Sequence, residues 1–162
     1  RSYRCVPAAK HVYNCFVWIR HTWHDFHYKE FKPLTNDFAG IRVPSVAPHT
    51  ISSGADVAMK NGLLAALTYY YCDKIPLNDA NSEYANAYHL LGAKVGYEKW
   101  IKNKFRYKII GCVENLLDQT YSLGNDINGF GGRYYNAAAR RNFFISIIFQ
   151  FLIKSKTDII KQ

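Results

Sequence analysis

The stretch HTWHDFHYKEF, residues 21 to 31, gathers His21, His24 and His27 around Asp25 and Tyr28. On a helix, imidazoles spaced i,i+3 are neighbours that fan over an arc of about 120°. Two of them could touch one ion, whereas three would strain its geometry. The H-E-x-x-H spacing of a helical zinc protease is absent, so a zinc site would have to recruit His49, His89 or a cysteine from elsewhere. The plainer alternative is that these histidines are satisfied polar residues or part of a positive surface.

His24 with Asp25 offers different chemistry. Adjacent helical residues point about 100° apart and cannot pair with each other. They can face one pocket, with imidazole as general base and carboxylate as ligand to a hard cation. The imidazole then needs a second carboxylate to fix its tautomer. Asp56 is the candidate, since on a helix it shares the apolar stripe of Met59 and Leu63. The alternative is an acid decorating a first turn, where the helix dipole favours it.

The elements that must position these groups read as helices. Phe16, Ile19, Trp23 and Phe26 recur at three- and four-residue spacing, which predicts a helix over 11–31. A long loop with three prolines follows. Met59, Leu63, Leu67 and Tyr70 predict a second helix over 55–72 that packs against the first. Tyr84, Tyr88, Leu91 and Val95 predict a third, extending toward Phe105, with Gly92 and Gly96 weakening it. A fourth is expected over 111–121, and LGNDINGFGG reads as a connection. From Arg133 helix is expected through YYNAAARR, and FFISIIF is left open between helix and strand. The fold class expected is therefore all-α, in one domain over 1–162.

Composition narrows the partners. Hydrophobic residues at 49% and aromatics at 16% exclude a disordered chain. Thirteen Tyr and ten Phe exceed what one small core needs, so some should meet an apolar or amphiphilic partner. The net charge of +9 suits an anionic one: nucleic acid, an acidic protein or an anionic lipid surface. The longest apolar stretch, FFISIIFQFLI at 143–153, is shorter than the about 20 residues of a spanning helix. No transmembrane span is expected. That stretch should be a core or lipid-contacting element, with Lys154, Lys156 and Lys161 at its polar margin.

WHDFHYKEFK resembles the catalytic-helix signature of secreted phospholipases A(2), most closely the small bacterial and fungal branch, through His24, Asp25, Phe26 and Tyr28. DVAMKNGL is similar to the next family helix through Asp56, Met59 and Leu63. NAYHLLGAKVGYEKW loosely echoes a third, and Cys5 stands 19 residues before His24, as a family cysteine does. The resemblance covers residues 1–105. It implies a helical core of two packed antiparallel long helices, with an additional C-terminal segment. It implies His24 as the base that activates water, Asp56 as its orienting partner, Asp25 as a calcium ligand and Tyr28 as a packing residue. The chain departs from the family in having His21 where a cysteine stands and no acid among residues 1 to 24.

The expectation is calcium-dependent hydrolysis of glycerophospholipid esters at an anionic phospholipid surface. The chain would be a secreted toxin or effector, with Arg1 beginning a processed or trimmed product. Disulfides Cys5–Cys15 and Cys72–Cys112 belong with that setting. Two alternatives stand beside it: a catalytically silent relative that binds membrane or protein, and a basic nucleic-acid binder using the interleaved KNKFRYK.

Overall fold

The computed structural model describes residues 2–5, 11–34, 36–102 and 104–152, and for residues 2–5 the backbone alone. Seven antiparallel strands form one sheet: β1 (Ser2–Cys5), β2 (Val12–Trp23), β3 (His49–Met59), β4 (Leu63–Cys72), β7 (Tyr88–Ile101), β8 (Phe105–Glu114) and β11 (Asn142–Phe151), in that spatial order. Two short ladders stand apart from it. One pairs β5 (Ile75–Pro76) with β6 (Tyr84–Ala85), and the other pairs β9 (Ser122–Asn125) with β10 (Tyr135–Ala137).

The all-α expectation is overturned. Among the described residues there is no α-helix, only a 3-10 turn at Phe130–Gly132. The two predicted packed helices are β2 and the β3–β4 hairpin, so the phospholipase A(2) helical core does not exist here and the resemblance falls with it. Lys60, Asn61 and Gly62, taken as helix interior, make the turn between β3 and β4. Gly62 holds φ at 96°, and its carbonyl accepts a 2.9 Å hydrogen bond from the Glu98 amide. No helix of the described residues is long and apolar enough to cross a membrane.

The meander sorts its connections by length. The β3–β4 and β7–β8 connections are short and lie at one end of the sheet, while those from β2 to β3, β4 to β7 and β8 to β11 are long and all lie at the other end. The long connections support one another. Ser45 donates its amide to the Pro76 carbonyl at 2.9 Å, and Asn128 donates its amide to the Leu77 carbonyl at 3.0 Å. Leu77 has no exposed surface at all and is the best-sealed side chain of this cap.

Among the described residues, neither face of the sheet carries a second layer of secondary structure. Within the six strands whose side chains are described only Cys72 and Cys112 are buried; the other buried residues among those described, Pro44, Ala47, Pro76, Leu77, Ala85 and Asn115, belong to the cap. A globular domain normally packs two layers around its core. This sheet leaves its largest apolar side chains uncovered.

No disulfide is present among the described residues, and Cys72 and Cys112 are free thiols. Along the ladder Cys72 stands opposite Tyr88, and Cys112 opposite Lys94. Six residues of β7 separate those positions, about 20 Å, far beyond the reach of a disulfide. The expected Cys72–Cys112 bond is therefore sterically impossible in this fold. Cys5 does stand opposite Cys15, but its side chain lies outside the described residues, as do Lys154, Lys156 and Lys161.

Candidate functional surface

Register decides which side chains share a face, because partners across a ladder point the same way and neighbours along a strand point oppositely. One row crosses six strands as Val17, Ala55, Leu67, Ala93, Val113 and Phe143. Two residues along the strands, the next row on that face is Cys15, Val57, Ala65, Val95, Gly111 and Ile145. No member of either row is charged or carries an oxygen or nitrogen in its side chain. These rows face outward: Val95 is 60% exposed and Ile145 75%.

Aromatic residues border the band at both ends. Toward the long connections the same face carries Trp23, His21, His49, Tyr69, Tyr71 and His89. His21 and His49 stack with centroids 5.4 Å apart, and the Tyr69 hydroxyl lies 2.7 Å from His89 Nδ1. Toward the tight turns it carries Tyr97, Phe105, Tyr107, Phe149 and Phe151, with Phe105 stacked on Phe149 at 5.8 Å. On β7 the band together with its borders runs from His89 to Lys99. That is about 33 Å along the strand, or about 25 Å in height at a strand tilt of roughly 40°.

The opposite face is mixed and carries most of the sheet's charged side chains. The row lying between the two apolar ones is Phe16, Asp56, Ala66, Lys94, Cys112 and Phe144. Asn14, Asp56, Lys94 and Lys108 line a shallow hollow of about 310 Å³ there. Nearer the tight turns, Glu98 holds Arg106 at 3.2 Å and Lys108 at 3.8 Å, and the Arg106 guanidinium lies 5.5 Å from the centre of the Trp100 ring. Gly54 makes room for Trp18, whose indole passes so close that a Cβ would meet it at 2.7 Å. Arg106 and Lys108, two of the four basic residues of KNKFRYK, are thus engaged with Glu98, while Phe105 and Tyr107 belong to the aromatic border.

The fold separates the groups expected to act together. His24 lies just past the end of β2, where its amide bonds the Pro48 carbonyl at 2.9 Å and its Nδ1 lies 3.2 Å from the Ala47 carbonyl. Asp56 lies in mid-sheet on β3, opposite Phe16 and Ala66. From Pro48 to Asp56 is eight residues of extended chain, about 26 Å. Asp25 turns to His27 at 3.5 Å and Arg42 at 3.7 Å. Among the described residues no group of three or more His, Cys, Asp or Glu side chains is placed to hold a metal ion. With neither the helical scaffold nor a calcium cluster, the phospholipase A(2)-type hydrolysis is excluded as this chain's chemistry.

The long-connection cap holds the strongest polar network. The Asp79 carboxylate accepts from the Tyr28 hydroxyl at 2.7 Å and from Asn128 Nδ2 at 2.8 Å, and the Asp79 amide donates to Asn128 Oδ1 at 3.1 Å. Burial, then the hydrogen bond to Asp79 and its negative charge, push the Tyr28 phenol up to about 12. At the base of the last connection Arg140 grips Asp118 bidentately, at 3.0 and 2.7 Å. That hydrogen bonding, with the Arg141 amide, holds the Asp118 carboxyl well below the usual carboxylate range.

No family model matches the chain. Its character therefore rests on the two-faced sheet, whose residues carry a signal that helical spacing hides. In NFFISIIFQF every second residue from Phe143 to Phe151 is apolar and outward-facing, but Phe144 and Ile148 on the other face fill in the alternation.

Proposed function

We propose that this chain forms part of the wall of a β-barrel that crosses a lipid bilayer. The observation that carries the reading is the pair of uncharged apolar rows, exposed and bordered above and below by aromatic side chains. Counted with its aromatic girdles the band stands roughly 25 Å tall, which matches the apolar belt and interfaces of a spanning barrel. β2, β3, β4, β7, β8 and β11 are 12, 11, 10, 14, 10 and 10 residues long, enough for tilted strands to span it. Tight turns at one end and long connections at the other complete the pattern.

In lipid every backbone polar group needs a partner, so a spanning sheet must close on itself. Among the described residues the outer edges of β1 and β11 have none. The wall is therefore continued by further strands, from the same protein or another copy. The polar face, with Asn14, Asp56, Lys94 and Lys108, lines the lumen, and the cap of long connections meets solutes outside it. The role is that of a membrane-embedded conduit or receptor for a polar solute, with lipid acyl chains as the partner of the apolar face.

Spin labels on single cysteines test this in lipid vesicles, in a background with the native cysteines replaced by serine. Labels at positions 67 and 95 should collide with dissolved oxygen and be shielded from a water-soluble nickel chelate. Labels at 68 and 94 should show the reverse preference. Equal access of the chelate to all four would sink the barrel reading and leave the apolar face to a protein layer.

A further inference from the structure

A second hollow, of about 480 Å³, opens among the long connections, with Tyr88, Tyr121, Tyr135, Asn86, Asn125 and Ser122 among its lining residues. No Asp, Glu, Lys, Arg or His lines it. Its size falls in the range of small-ligand sites. Three tyrosines give it flat apolar faces with polar tips, and two amides give it directed donors and acceptors.

Two details indicate what is missing from it. The Asn125 Oδ1 atom is shielded from solvent and accepts no hydrogen bond, so this side chain is not yet settled among protein partners. Tyr135, directly opposite Asn125 in the β9–β10 ladder, is 59% exposed, with its hydroxyl 3.4 Å from the Tyr84 carbonyl. Across the hollow, Tyr121 stacks on Tyr88 with centroids 4.9 Å apart. A largely exposed ring thus stands beside an amide side chain that lines the same hollow.

We infer that this hollow binds a neutral saccharide, with a sugar ring stacked on Tyr135 and sugar hydroxyls bonded to the side-chain amides of Asn86 and Asn125. A charged ligand would enter with no counter-charge and lose its hydration. A purely apolar one would leave the Asn125 acceptor and the Asn86 amide unsatisfied. A saccharide satisfies both requirements, since its C–H faces cover aromatic rings while its hydroxyls donate and accept.

The test is a glycan array carrying neutral and uronic-acid oligosaccharides, probed with the full chain folded in detergent micelles. The strongest binder is then titrated by calorimetry. Neutral glycans should bind saturably and the uronic-acid ones should not. Asn125→Leu should weaken binding roughly three- to tenfold, the worth of one hydrogen bond. Tyr135→Ala should weaken it as well, and because that ring is largely exposed, its β-sheet circular dichroism should be unchanged. No neutral binder on the array, or binding untouched by both variants, overturns the inference. The inference is independent of the lipid contact: the spin-label result reads the wall, and the array reads the hollow.

Discussion

The Tyr28 hydroxyl reaches the Asp79 carboxylate at 2.7 Å across 51 residues of sequence. Asn128 binds the same carboxylate from a third connection, so one acid ties all three long connections together. Because the folded Tyr28 phenol is raised to about 12 from an ordinary 10, its contribution to stability is complete below pH 10 and is lost as pH rises through 12. Tyr28→Phe should cost about 1 kcal/mol at neutral pH, read by urea unfolding in micelles. It should also lessen the alkaline loss, leaving the part that the raised Tyr88, Tyr70 and Tyr71 phenols contribute. Carbon-13 NMR of tyrosine Cζ should show late-titrating resonances, that of the half-buried Tyr88 among them, and the one lost in the variant should titrate near 12 in the native chain. A lost resonance that titrates at the ordinary 10 would dissociate Tyr28 from Asp79.

The apolar rows predict asymmetry between faces. Val95→Lys places an ammonium group in the middle of the acyl chains and should cost about 2–4 kcal/mol in a bilayer. Thr68→Lys, on the polar face, should cost under about 1 kcal/mol. Equal costs, measured by unfolding from vesicles, would mean that both faces see the same medium.

Some of this was legible in the sequence and some was masked. The surplus of aromatic residues did point to an apolar or amphiphilic surface partner, and the sheet provides such a surface. Strand identity was hidden because both faces of β2 are rich in large apolar groups. Phe16 and Trp18 point one way, Cys15, Val17 and Ile19 the other, and the residues at 16, 19, 23 and 26 matched a helical stripe by coincidence. In β11 the polar residues Asn142, Ser146 and Gln150 fall every fourth position, which satisfies helix and strand alike. Ala65 and Ala66, good helix formers, sit in a central strand because packing overrides intrinsic propensity. The turn at Lys60-Asn61-Gly62 was readable, since Asn-Gly between apolar runs is a hairpin signal. Nothing local could place Asp79 beside Tyr28, which only the assembled cap brings together.

Gly62 carries the β3–β4 turn. Its φ of 96° lies in the left-handed region, and a Cβ there would run into the Glu98 carbonyl. Gly62→Ala should therefore cost at least about 1–3 kcal/mol and loosen the tight-turn end. Hydrogen exchange should speed at the Glu98 amide, which donates to Gly62. An unchanged rate at Glu98 would show that the turn relaxes freely.

Asp118 closes the base of the last long connection. Arg140 binds both its oxygens, the Arg141 amide donates to it at 3.1 Å, and Arg141 Nε holds the Leu116 carbonyl at 3.0 Å. Its folded carboxyl is lowered, so the stabilisation is present above the ordinary carboxylate range and is lost only as pH falls through the depressed folded value. At neutral pH the clamp should be intact, with Arg140 and Arg141 shielded from trypsin. Asp118→Asn keeps the residue's shape and its tolerance of a φ of 55° but removes the charge. Trypsin should then cleave after Arg140 and Arg141 several-fold faster, and Arg140→Gln should speed cleavage after Arg141 to a similar degree. If both variants are cut at the native rate, the connection is held shut elsewhere, with Asn115 the next candidate. Its side chain accepts from the Gln119 amide at 2.9 Å and donates to the Gln119 carbonyl at 2.8 Å and to the Ala139 carbonyl at 3.4 Å.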